Sequence, residues 1–281
     1  MTFSIVGYDP LEKEWGIAVQ SKFLGVGAVV PWAKAGAGAV ATQSYANTSY
    51  GPKALEMMSE GKSAQETLEL LLADDPEKEM RQVGLIDANG QAATYTGKEC
   101  YDWAGGVTGK HFAAQGNILV DEKTVATMSC VFSEAEGPLA ARLLAALDAG
   151  QEAGGDSRGK QSAAIYVVKE KGGYGGFNDR FVDLRVDDHP DPIKELIRIY
   201  QLQQLYFAPS KPEQVAALEG EVKTEVVSEL TRLGYLTKEV GSDEEIYQAL
   251  TAYLHTENFE MREQKTGWID LEVLQFMRSQ I

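Results

Sequence analysis

Cysteine is nearly absent: Cys100 and Cys130 are the only two in 281 residues, too few for a disulfide scaffold and in keeping with a reducing compartment where both stay thiols. No run of 18 uncharged apolar residues occurs, which excludes a helix of bilayer-spanning length. The first 30 residues lack a basic segment followed by an apolar run of signal-peptide length, because Asp9, Glu12, Lys13 and Glu14 interrupt the hydrophobic stretches; the expected location is cytoplasmic. Basic side chains are scarce, 26 against 42 acidic, for a formal charge of −16. Such a surface repels phosphate backbones and anionic lipid heads, so neither nucleic acid nor a membrane is an expected partner. No serine stands in a Gly-x-Ser-x-Gly elbow, there is no Walker loop, and the glycines of residues 172–176 lack the spacing of a phosphate cradle, so no cofactor is expected. His111 and His255 have no Glu or second His at ligand spacing, and neither reads as a zinc ligand.

What is present is a chain 44% apolar, long enough for one large core and a smaller one. Residues 3–8 and 15–19 are branched or aromatic runs around Asp9-Pro10 and predict a hairpin. Residues 26–30 and 39–44 extend the sheet. Helices follow. Pro52 suits a first helical turn with Leu55 and Met58 on its apolar face, and Ser63 with Glu66 matches a capping box before Leu68, Leu71 and Leu72. Residues 82–87, 92–96 and 112–116 read as strands, the first two joined by the hairpin turn Asn89-Gly90. Two more helical stripes come next, Val125, Met128 and Phe132, then Leu139, Leu143 and Leu147; residues 162–169 and 180–186 are the last strands. Strands, two helices, strands, two helices, strands is the order that suits two packed sheets flanked by helical layers, an αββα sandwich.

Beyond Asp191-Pro192, which starts a helix through Ile193, Leu196, Ile197 and Tyr200, the texture changes. After Pro209 and Pro212 glycine thins out, and Val215, Leu218, Val222, Val226, Leu230 and Leu233 repeat at helical spacing. Ile246, Leu250 and Leu254 mark a second helix; Leu271, Leu274 and Met277 mark a third, entered through Gly267-Trp268-Ile269-Asp270. The division expected is residues 1–205 as a mixed α+β domain and residues 206–281 as a small all-α domain. Residues 211–281 hold 7 basic and 14 acidic side chains, net −7, which argues against adhesion to an anionic wall and favours a packing or oligomerisation module. A homo-oligomer is therefore expected, with the glycine pairs around Tyr174 forming either a tight hairpin or an oligomer contact.

Several segments together resemble domain of unknown function 1028: Met1-Thr2-Phe3-Ser4-Ile5-Val6, Gln20-Ser21-Lys22-Phe23, Val29-Val30-Pro31-Trp32, Ala41-Thr42-Gln43, Gln115-Gly116-Asn117-Ile118-Leu119 and Gly175-Gly176-Phe177-Asn178-Asp179-Arg180. The resemblance runs over residues 1 to about 200. That family is similar to the N-terminal nucleophile (Ntn) hydrolases, which use the four-layer αββα fold and cut amide bonds, so the resemblance implies this Ntn-hydrolase-like fold and a small amide or peptide substrate. In the tail, Leu233-Gly234-Tyr235-Leu236 and Thr266-Gly267-Trp268-Ile269-Asp270 resemble a peptidoglycan-binding-like helical module.

Thr2 is the focal residue under that resemblance. Removal of Met1 ahead of a small side chain exposes a threonine with a free α-amine, and such an amine titrates near pH 7.7 to 8.0, so that it can act as base to its own hydroxyl. The competing reading is a plain strand-start residue. Lys22, with Ser21 just past the second strand, is the first candidate for a cation beside the nucleophile; Lys34 competes, and a solvated loop lysine is the bland alternative. Asn117, at a strand end, is the candidate oxyanion donor, and Gln43 the candidate substrate-orienting amide; each reads equally well as a satisfied turn or core amide. Asp156 and Ser162 flank a glycine loop where related hydrolases place residues that steady the terminal amine. Asp183, Asp187, Asp188, His189 and Asp191 form an acidic patch. Pairing of Asp179 and Asp183 with Arg180 and Arg185, and capping by Asp191, outweigh a hard cation there, so no metal is expected.

Overall fold

A computed structural model describes residues 2–237 and 242–280. Its N-terminal elements are β1 (Thr2–Asp9), β2 (Glu14–Ser21), β3 (Pro31–Lys34), β4 (Gly38–Ser44), α1 (Tyr50–Ser59), α2 (Ala64–Ala73), β5 (Arg81–Asp87), β6 (Ala92–Thr96), β7 (Gly105–Gly109), β8 (Phe112–Asn117), α3 (Lys123–Glu134), α4 (Leu139–Glu152), β9 (Ser162–Lys169), β10 (Arg180–Val186) and α5 (Pro192–Phe207). Six strands form one antiparallel sheet in the order β10-β9-β2-β1-β8-β7, and four form another in the order β3-β4-β5-β6. The fold is mixed α+β.

The sequence of β1 explains its central place. All eight of its residues are buried, as a strand covered on both faces must be. Val6 and Tyr8 join Ile17, Val19, Ala39, Ala41 and Ile86 in a core between the two sheets. Gly7 takes the other face: a Cβ there would come within 2.9 Å of the Phe132 ring and 3.1 Å of Leu143, so the missing side chain lets α3 and α4 close on the sheet. On the four-stranded sheet, Ala54, Leu55 and Met58 of α1 and Leu68 and Leu71 of α2 pack with Val40, Val83 and Leu85. The capping box of α2 forms as expected, Ser63 accepting from the Glu66 N–H while Glu66 reaches back to Ser63. Each of these large apolar side chains contributes about 1.5–3 kcal/mol when fully buried.

Three expectations are corrected. Residues 26–30 are not a strand: Val26–Ala28 is a single 3₁₀ turn, with Val26, Gly27 and Val30 buried, and the strand starts at Pro31. β7 was not expected at all. Val215–Ala217 is a strand, β11, rather than the start of a helix, and pairs antiparallel with β12 (Trp268–Asp270). The helices of this part are α6 (Gly220–Arg232), α7 (Asp243–Thr256) and α8 (Leu271–Ser279).

The chain divides into two compact units, Met1–Arg198 and Ile199–Ile281. The second is helical around its own core, in which Val226, Leu230, Leu250, Tyr253, Phe259 and Val273 are buried. Arg262 is 3% exposed and fully engaged there, donating to Asp270 at 2.8 Å and to the carbonyls of Leu205 and Gln204 at 2.8 and 2.9 Å. Among the described residues, no helix is long and apolar enough to cross a membrane.

Candidate active site

Strand register builds the site. Thr2, the first residue of β1, lies opposite Ser21 at the end of β2 and opposite Asn117 at the end of β8, and Ser21 in turn lies opposite Ser162 at the start of β9. Directly opposed residues point to the same face, so Asn117, Thr2, Ser21 and Ser162 form one cross-strand row. The facing sheet answers with a second row, Gln43 opposite Gln82 and Gln82 opposite Thr96.

Buried side-chain amides connect the rows. Gln43 Nε2 donates to Gln82 Oε1 at 2.8 Å and to the Thr2 carbonyl at 3.3 Å, while its Oε1 accepts from Ser4 Oγ at 2.6 Å. Asn117 Nδ2 donates to the same Gln82 oxygen at 2.8 Å, and Gln82 Nε2 donates to the Gly116 carbonyl at 2.7 Å. Gln115 closes the network by donating to Ser4 Oγ at 2.6 Å. Ser4, Gln43, Gln82, Gln115 and Asn117 are at most 1% exposed. Neutral amides suit this position, since each carries both donors and acceptors and adds no charge to desolvate.

At the end of the rows the Thr2 and Ser21 hydroxyls stand 3.0 Å apart, and they open on a cavity of about 100 Å³. Val26, Val29 and Val30 form an apolar wall; Gln43 and Arg158 supply polar groups. The 3₁₀ turn that replaced the expected strand is what builds this wall. Ser162 pins it: its Oγ donates to the Phe23 carbonyl at 2.5 Å and accepts from the Val26 N–H at 3.1 Å.

The remaining candidates are placed as follows. Lys22 is exposed, and its ammonium donates to the Lys160 carbonyl at 3.3 Å rather than to Thr2; Lys34 binds Ser59 at 3.0 Å. The cation lining the cavity is instead Arg158, in the α4–β9 loop, which sequence reasoning missed. Asp156 organises that loop, accepting from the N–H groups of Lys22 and Arg158 at 2.9 Å each, with Arg158 Nη2 at 3.5 Å. The Asn117 amide is committed between the sheets and does not line the cavity. In the acidic patch, Asp183 pairs with Arg180 and Arg185 at 3.4 and 3.3 Å and Asp191 with Lys160 at 2.9 Å. Asp179 differs from expectation and accepts from the Ala35 N–H. Among the described residues no cluster of three metal-ligating side chains occurs.

A second cavity, about 420 Å³, lies by α1, α2 and the start of β5. Its buried carboxylate, Asp75, accepts from Arg81 Nε at 2.9 Å, Tyr50 OH at 2.8 Å and the Glu77 N–H at 2.9 Å. Burial alone would raise the Asp75 pKa, but these hydrogen bonds hold the carboxyl well below the usual range. Burial and the same carboxylate push the Tyr50 phenol up.

An antiparallel pair of facing sheets with hydroxyls gathered at one strand end defines a class of α+β proteins with a small, hydroxyl-lined cavity. The chain belongs to the family described as "Family of unknown function (DUF1028)", which matches residues 2–196. Residues 206–277 match the "Putative peptidoglycan binding domain". Among solved structures, the chain is similar to the crystal structure of protein SPO2555 from Silicibacter pomeroyi, which carries the same family label. The two are 30% identical with a TM-score of 0.66, over 79% of this chain and 88% of that one. No curated protein matches.

Proposed function

We propose that residues 1–205 are a four-layer αββα domain of the N-terminal nucleophile type and that the protein is an amidohydrolase acting on a small amide or short peptide, with Thr2 as nucleophile. Residues 206–281 are then a separate helical domain, and the setting is a cytoplasmic homo-oligomer. The observation that carries the reading is the position of Thr2: a hydroxyl at the first residue of the central strand, 3.0 Å from Ser21 and lining a cavity with a cationic side chain.

In the mature chain the Thr2 α-amine takes the proton of its own hydroxyl as Oγ1 bonds to the substrate carbonyl carbon. The C–N bond breaks and the amine leaves with that proton. Water then attacks the acyl ester, the acid departs, and the hydroxyl is restored. Ser21 orients Thr2 Oγ1, the amide rows fix the two strand ends, and Arg158 brings a positive charge to the cavity lining, which favours negative charge developing on the carbonyl oxygen.

Intact-mass measurement and a panel of amides test this. Met1 is expected to be absent from the active protein. Thr2→Ala, which leaves a small residue for the same processing, is expected to lower kcat by at least about 10³-fold, and Thr2→Ser to retain measurable turnover. Retention of Met1 in active protein, or full activity in Thr2→Ala, overturns the mechanism and leaves a binding protein on the same fold.

A further inference from the structure

We infer that two copies of the chain join through the outer edge of β10, which pairs antiparallel with β10 of the second copy; the inference rests on the homo-oligomer part of the proposed reading and names its interface. The first observation is the ladder. β10 ends the six-stranded sheet, and among the described residues no strand pairs with its outer side. The strand at the other end, β7, packs against β6 and α3. The Lys169 N–H donates to the Asp179 carbonyl, so the odd-numbered residues of β9 turn their backbone groups towards β10. Val182, Leu184 and Val186 lie opposite Val167, Ile165 and Ala163 of that set. In an antiparallel ladder the residues between them, Asp183 and Arg185, therefore direct their N–H and C=O groups outward, and a row of such groups is a template for another strand.

The second observation is the order of charges along that edge. Asp183 and Arg185 meet at 3.3 Å on their own strand, with side chains 23% and 42% exposed. Charged residues on an edge ordinarily discourage pairing, but here the order fits a copy of itself, as a two-fold interface requires. With Leu184 on the axis, opposite Leu184 of the second copy, each Asp183 stands opposite the other strand's Arg185, and each Val182 opposite the other strand's Val186. The four charged groups then alternate in sign around a square, so the pair within each strand is kept and two pairs across the interface are added. Placing Asp183 on the axis instead would set two carboxylates face to face, which destabilises a strand pair. The bulge between Arg180 and Val182 interrupts the ladder only before this segment. The third observation is the turn that leads into β10, where Tyr174 and Phe177 are 89% and 91% exposed. In this register the turn lies past the end of the second copy's β10, so an aromatic pair flanks the joined strands at each end, the residue type in which interfaces are enriched.

Analytical ultracentrifugation of the full chain tests this. The wild type is expected to sediment as a dimer. Asp183→Arg and Arg185→Glu each set like charges opposite one another twice across the axis, and each is expected to weaken the dimer at least about tenfold. Mixing the two variants puts opposite charges back at both cross-strand positions, so the mixture should form a heterodimer where neither variant alone associates. That rescue also excludes misfolding as the cause of the loss, since an unfolded chain would not be recovered by its counterpart. A monomeric wild type overturns both this interface and the homo-oligomer reading. Dimers that persist undiminished in both variants, or monomeric variants that stay apart on mixing, overturn the interface alone. The nucleophile reading is judged by Thr2→Ala kinetics and can fail without either.

Discussion

Gln82 shows what a single side chain does for this site. Its oxygen accepts from both Gln43 and Asn117 at 2.8 Å, and its nitrogen donates to the Gly116 carbonyl and, at 2.9 Å, to Thr96 Oγ1. Gln82→Leu keeps roughly the volume but takes the acceptor from the buried Asn117 amide and the donor from the Gly116 carbonyl, and leaves Gln43 Nε2 only its longer contacts to the Thr2 and Gln115 carbonyls; each group left unsatisfied costs about 1–3 kcal/mol. We expect a loss of about 2–5 kcal/mol in urea unfolding; a loss below about 0.5 kcal/mol would show that the network relaxes around the change. Gly84 belongs to the same network. A Cβ there would lie 2.1 Å from Gln115 Oε1, so Gly84→Ala must displace the amide that holds Ser4. Its expected cost is about 1–3 kcal/mol, read by the same unfolding measurement, and unchanged stability would refute the clash.

Between elements, Asp75 is the chief tie. It joins α1 through Tyr50, the turn before β5 through the Glu77 N–H, and β5 through Arg81. Asp75→Asn takes from the Arg81 guanidinium, whose side chain is 12% exposed, the buried one of its two carboxylate partners and leaves the exposed Glu77 at 2.6 Å, at a cost of about 1–3 kcal/mol near neutral pH. The pH dependence has a definite sign. Because the folded carboxyl is held below its ordinary value, its contribution is complete above the unfolded pKa of about 4 and fades as pH falls through the depressed folded value. The gap between wild type and Asp75→Asn should therefore narrow from pH 7 to pH 3, and a gap constant over that interval would contradict the assignment.

Elements with a regular period were readable in the chain. The branched and aromatic runs of β1 and β2 and the leucines of α2 and α4 specify their structures locally. Residues 26–30 misled because an apolar run around Gly27 satisfies a buried 3₁₀ turn as well as a strand. β7, Gly-Gly-Val-Thr-Gly, has too few side chains to show alternation, and Val215 and Leu218 fell into phase with a helix that begins only at Gly220. The neighbours of Thr2 were partly legible for the same reason. Ser21, Asn117 and Gln43 sit on strands whose register the pattern constrains, whereas Arg158 lies in a loop whose path depends on the Asp156 contacts and leaves no periodic trace.

At the scale of the whole molecule, charge is the dominant physical fact. Forty-two acidic and 26 basic side chains leave a formal −16 at pH 7, and many of the ion pairs that do form are exposed, such as Arg278–Glu225 and Lys62–Glu60. Exposed pairs contribute little, with a median of about 0–1 kcal/mol. The repulsion among unpaired carboxylates is long-ranged, and it acts across about 30 Å at 0.01 M salt but only about 8 Å at 0.15 M. Added salt thus removes more repulsion than attraction, and the folded state, where like charges are closest, gains. We expect the thermal midpoint to rise between 10 and 200 mM sodium chloride by several degrees, where about 2–4 °C corresponds to 1 kcal/mol for a chain of 150–250 residues. The effect should weaken at pH 5, where carboxylates begin to protonate and the net charge falls. A midpoint that drops with salt would mean that the ion pairs, not the excess of acid, govern the stability of this surface.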